Sequence, residues 1–234
     1  MTGAGGMRAV DDLMEKASEA LVATDYFDAE KHCLKALARA RAARDFERMA
    51  RISLPLQECR RQRRHEACDA GHVFVLTEMP VPGTKLRPGA YLLNPPLIGL
   101  HARTLRDLLI RRKAPAMVLV REPTTSKGQW PIVGVGVGEP RPVVVRTYVN
   151  PPASGEPDTA FLLAAQEALG DAAIRKAPQG APPDHHVDDL WEYWEAVPDH
   201  EKLAQAFEEA CRAAAAAGVD SGPRRRGFDD PFSF

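Results

Sequence analysis

A chain of 234 residues can bury a substantial core in one large domain or two small ones, and with aromatic residues at only 6% its packing falls to Ala, Leu and Val. No run approaches the ~20 apolar residues of a membrane span, and the opening MTGAGGMRAVDD lacks the basic-then-apolar layout of a secretory signal. Net charge is −1 but uneven: Lys+Arg against Asp+Glu is 13 to 12 over residues 1–70, 11 to 4 over 71–155 and 7 to 16 over 156–234.

That asymmetry suits nucleic-acid binding by the middle segment, or docking of the acidic part on the basic one. Cys33, Cys59, Cys68 and Cys211 fall inside helical patterns, as expected of reduced thiols in a cytoplasmic protein. Arg outnumbers Lys 23 to 8 and Ala is abundant, which points to a GC-rich, bacterial genome more than to a function.

Residues 1–10 are Gly-rich and read as disordered. Helical periodicity begins near Asp11, with Leu13, Ala17, Ala20 and Leu21 at apolar spacing. Asp25-Tyr26 makes a turn, and Ala29, Cys33, Ala36, Leu37 and Ala40 carry a second helix. Small residues fall where paired helices would cross. The set Leu13, Ala17, Ala20, Asp25, Tyr26, Ala29, Cys33 and Ala36 resembles the spacing of the tetratricopeptide repeat family. The resemblance covers about one and a half repeats within 11–69, departs at Lys16, and lacks the closing proline. It implies antiparallel helical hairpins with a protein-binding surface. Because such units need about three copies to stand alone, these helices should pack on the remainder of the chain or on another copy. Pro55 predicts a kink or restart before a helix over 56–69.

From Gly71 the period changes to alternating or β-branched runs at 72–78, 90–93, 116–122, 131–137 and 142–149, bounded by Pro and Gly. A helix over 101–113 separates the second and third runs, and another spans 158–176. Residues 177–185 read as a linker, 186–196 and 200–217 as two closing helices, and 218–234 as a disordered tail that could act as a docking peptide. The whole reads as an α+β protein. N-terminal antiparallel helices (11–69) pack on an α+β domain (70–176) with a small, mainly antiparallel sheet, covered by a C-terminal helical pair (186–217).

Three functional classes follow. In the first, a non-enzymatic adaptor binds a protein partner, or itself, through the arginines Arg41, Arg44, Arg48, Arg51, Arg60 and Arg64, gripping an acidic segment. In the second, Arg103, Arg106, Arg111, Arg112 and Lys113 contact nucleic-acid phosphates. The third is a small-ligand or enzymatic site. Asn-Pro-Pro leaves a strand at 94–96 and again at 150–152, and Gly134, Gly136 and Gly138 share one strand face that a ligand or a helix could approach closely. Asn94 and Asn150 resemble the catalytic Asn of amino-methyltransferases. However, Leu97 and Ala153 stand where that family places an aromatic, and no helix follows the glycines.

DHHVDD at 184–189 has enough donors for a metal but reads as helix initiation, with Asp184 suited to capping. His65, Cys68 and His72 lie too sparsely for zinc. No nucleophile motif is present, and no metal or cofactor is implied.

Overall fold

The structure is a computed structural model describing residues 3–136, 142–178, 180–218 and 221. Three helices open it: α1 (Gly3–Val22), α2 (Tyr26–Ala42) and α3 (Phe46–Asp69). Their two turns share one design. Thr24 and Arg44 take positive φ of 58° and 51°, after which Asp25 and Asp45 cap the next helix by accepting from the backbone N–H of Asp28 and Arg48. Ala17, Ala29, Cys33, Ala36 and Leu37 are buried where the helices cross.

Two expectations are corrected. The first ten residues are helical from Gly3 onward, and Val10 is buried in the core. α3 runs unbroken through Pro55. The proline removes one N–H, while buried Ile52, Leu56 and Cys59 hold the turns on either side of it.

A five-stranded sheet follows in the order β1 (Val73–Leu76), β2 (Gly89–Leu93), β3 (Ala116–Arg121), β4 (Trp130–Gly136) and β5 (Val143–Val149). Helix α4 (Gly99–Arg111) makes the β2–β3 crossover. The sheet is mixed: β1–β2–β3 pair in parallel and β3–β4–β5 antiparallel. β2 and β3 are parallel because a helix joins them and returns the chain in the same direction, and β1 and β2 are parallel across the helix-free connection 77–88; this corrects the expected mainly antiparallel sheet.

β3 and β4 share only two register positions, Val120↔Val133 and Arg121↔Ile132, whereas β4 and β5 share seven. Beside this seam lies a small cavity of about 20 Å³, room for about one water. Arg106 of α4 reaches along it to the Glu195 carbonyl, 3.4 Å away.

Alternation along the strands sends side chains to two layers. On one face Tyr91, Leu93, Val120 and Val133 meet Leu105 and Leu109 of α4. On the other, Ala90, Leu92, Met117, Leu119, Ile132, Val143 and Val145 join the large core shared with α3 and the closing helices α5 (Thr159–Lys176), α6 (Pro183–Ala196) and α7 (Glu201–Ala217). The α+β class and the covering role of the C-terminal helices hold. The linker is shorter than expected, since α6 begins at Pro183.

Candidate functional site: a cationic groove beside an occupied arginine face

Most of the arginines expected to grip an acidic partner hold this chain's own C-terminal helices. Arg44 lies 2.8 Å from Asp184 and 3.6 Å from Asp188, and Arg41 sits 3.9 Å from Asp188 with its guanidinium 4.8 Å above the Trp191 ring. Arg60 donates to Glu30 at 2.8 Å and to the Pro198 carbonyl, and stacks 4.9 Å over Trp194. Arg63 reaches the other Glu30 oxygen at 2.8 Å and covers Phe27. Arg64 binds the Asp199 carbonyl at 2.6 Å and the Glu201 carboxylate. Arg48 stays local, with Asp45 at 2.8 Å and Asp11 at 3.4 Å. Arg51 is exposed.

Burial alone would raise the pKa of Glu30, but Arg63 and Arg60 hold it below the usual carboxylate range. Asp184 behaves alike. Burial opposes its charge, the backbone N–H groups of Ser221 and His185 and the Arg44 guanidinium favour it, and its pKa is lowered. Asp184 is thus the second residue of α6 rather than its cap, and it holds Ser221 by a 2.7 Å bond from that residue's N–H.

The five cations expected to meet phosphates are scattered. Arg106 points inward to Glu195, and burial lowers its pKa. Lys113 is taken by Asp25 at 2.9 Å and Asp28 at 3.0 Å. Arg103 is half-buried at the cavity beside the seam, and Arg111 and Arg112 are exposed.

Gly134 and Gly136 do share a strand face, and the α6 backbone fills it. A Cβ on Gly134 would come within 2.8 Å of the Ala196 carbonyl oxygen, and one on Gly136 within 2.6 Å of the Glu192 carbonyl oxygen. The close approach they permit belongs to a helix, which corrects the ligand face. Gly138 lies outside the described residues.

Both Asn-Pro-Pro exits reach the same sheet edge, where β2, β3 and β5 end and β4 begins. Three strand spacings of about 4.8 Å part them, roughly 14 Å in all. Arg121 and Trp130 stand between: Arg121 donates to the Asn94 side chain at 2.7 Å and lies 4.5 Å over the Trp130 ring. Asn150 is exposed at the end of β5. The two asparagines therefore do not form one site.

Among the described residues, the metal-like group is Glu167, Asp171 and His200, which sequence spacing did not suggest. Its protonation disfavours a metal. His200 Nδ1 accepts the Leu203 N–H at 3.1 Å, so the neutral ring carries its proton on Nε2, which faces Glu167 at 3.3 Å and Asp171 at 3.5 Å. Lys202 already bridges both carboxylates, 2.5 and 3.3 Å away.

Among the described residues two open grooves stand out. One, of about 520 Å³, exposes Ile98, Leu100 and Val144 beside β4 and β5, and its Arg146 is matched by Glu122 at 2.8 Å. The other, of about 510 Å³, lies between α2 and the end of α4. Phe27, Leu34 and Ile110 give it an apolar floor, and Lys31, Lys35, Arg111 and Lys113 a cationic rim. Its acids are already matched: Asp28 by Lys113, Glu30 by Arg60 and Arg63. Lys31, Lys35 and Arg111 are exposed surplus charge. A sequence signal for this groove existed in the Phe27, Leu34, Arg41 stripe, one position every seven residues along α2. No helix of the described residues is long and apolar enough to cross a membrane. Comparison with protein-family models, with curated proteins and with solved structures gives no match.

Proposed function

We propose that the chain is a non-enzymatic protein-binding adaptor, its helical hairpins akin to tetratricopeptide units, and that it takes an acidic, partly apolar segment into the groove between α2 and α4. One observation carries the reading. An apolar floor of Phe27, Leu34 and Ile110 lies open beneath Lys31, Lys35 and Arg111, three cations in excess of the local acids. A groove of this kind receives an amphipathic segment by burying its apolar side chains and pairing its carboxylates at the rim. The four free cysteines, three of them buried, favour a reducing cytoplasmic setting.

The test is affinity purification of the tagged wild-type chain beside a variant carrying Lys31→Glu, Lys35→Glu and Arg111→Glu, each with and without nuclease. A defined protein that survives nuclease and is lost from the variant is the expected result. Nucleic acid recovered with both chains, with every partner vanishing on digestion, would replace the reading with phosphate binding.

A further inference from the structure

The chain itself supplies a segment of the chemistry that the groove asks for. Beyond Ser221 the sequence continues as GPRRRGFDDPFSF, in which Phe228, Phe232 and Phe234 flank Asp229 and Asp230. These residues lie outside the described ones, but their point of departure is fixed: the Ser221 N–H is held 2.7 Å from Asp184, which Arg44 clamps at 2.8 Å.

Arg44 stands just past the end of α2. Phe27, Leu34 and Arg41 share one stripe of that helix, so the anchor and the groove lie along the same line. At 1.5 Å per residue, Lys35 is about 14 Å and Lys31 about 20 Å from the level of Arg44. Seven extended residues, 221 to 228, span up to about 24 Å. The reach suffices without unwinding α7.

We infer that residues 228–234 dock in cis in the α2–α4 groove of the same chain, with their phenylalanines on Phe27, Leu34 and Ile110 and Asp229 and Asp230 against Lys31, Lys35 and Arg111. The inference rests on the proposed reading of the groove. It adds an intramolecular competitor: an incoming acidic partner must displace this segment, so the chain guards its own binding surface.

The test uses the full chain. Carbodiimide joins a carboxylate directly to an amine in contact with it, and residues 227–234 contain no lysine or arginine. After trypsin they travel as one acidic peptide. An equal mixture of unlabelled and ¹⁵N-labelled chains is treated with carbodiimide and read by mass spectrometry. The pairs Lys113–Asp25, at 2.9 Å, and Lys202–Glu167, at 2.5 Å, are internal positive controls.

Expected are links from Asp229 or Asp230 to Lys31 or Lys35 in which both ends carry the same isotope. Links of mixed isotope would overturn docking in cis in favour of a second copy. Control links without tail links would overturn docking altogether. A parallel titration separates the two readings, with a labelled peptide of residues 226–234 added to the full chain carrying Asp229→Lys and Asp230→Lys. Binding that weakens at least tenfold on adding Lys31→Glu and Lys35→Glu upholds the groove even if the cis link fails. Equal binding with and without those changes, or none, removes both.

Discussion

Gly136→Ala is the sharpest test of how the sheet meets α6. The new methyl would lie 2.6 Å from the Glu192 carbonyl oxygen and 3.0 Å from the Ala196 nitrogen, both helix backbone, which has no rotamer to yield. Ordinary contact needs roughly 3.5 Å or more between such atoms, so α6 must move by about 1 Å or the strand must bend. That shift propagates into a full core, because Trp194 and Val187 of the same helix are wholly buried. Overpacking of this kind costs about 1–3 kcal/mol. Alanine recovers about 0.5–1 kcal/mol relative to glycine in a strand, leaving a net loss of about 1 kcal/mol at the middle of the two ranges. For a domain of this size Tm should fall by about 2–4 °C. Thermal and urea unfolding of Gly136→Ala beside Val144→Ala, a change at an exposed position of β5, would measure it. An unchanged or raised Tm for Gly136→Ala would refute the packing argument and reopen that face to a ligand.

Two further outcomes follow from buried charge. Glu30→Ala strands Arg60 and Arg63 without their shared carboxylate and should cost about 3–5 kcal/mol, whereas replacing all three with Met, Met and Leu should restore most of the loss in urea melts; a triple variant weaker than the single one would contradict the assignment. His200 is held neutral: burial lowers its pKa below the ordinary 6.5, against the pull of Glu167 and Asp171 and with help from Lys202 and Arg64. The unfolded chain therefore takes up a proton near pH 6.5 before the folded one does. Stability contributed by neutral His200 is complete above that pH and declines below it, by up to about 1.4 kcal/mol per unit, until the lowered folded pKa is reached. Urea midpoints from pH 8 to 5 should show this decline in the wild type and a flatter profile in His200→Gln; parallel profiles would exclude it.

Much of the fold is legible in the sequence because its signals are local. The five strands lie within one to two residues of the alternating runs, which Gly and Pro delimit on both sides. The parallel pairing of β1, β2 and β3 was not anticipated by the expectation of a mainly antiparallel sheet, because strand direction is set by how each connection crosses the sheet and not by the alternation within a strand. The repeated turn, Ala23-Thr24-Asp25 and Ala43-Arg44-Asp45, states both helix boundaries without a glycine. Pro55 misleads because local propensity yields to packing on either side of it.

The site was less legible. An arginine stripe has the same sequence whether its acids belong to a partner or to helices 140 residues away, as Arg44 and Asp184 show. Only the three-dimensional pairing separates Arg44, Arg60 and Arg64, which are occupied, from Lys31, Lys35 and Arg111, which face the groove.

The narrow seam between β3 and β4 has a consequence for taking the protein apart. The turn at 125–128, closed by the Gly128 N–H on the Thr125 carbonyl, is exposed at 126–128 and stands directly above that seam. Opening the backbone at Lys127 would leave two pieces joined across the sheet by two register positions, yet clasped elsewhere by α3 on α7 and by arginines on the acids of α6. The two pieces also share the large apolar core in which α3 meets the closing helices. A nicked molecule would therefore hold together through that shared core as well as through its ion pairs.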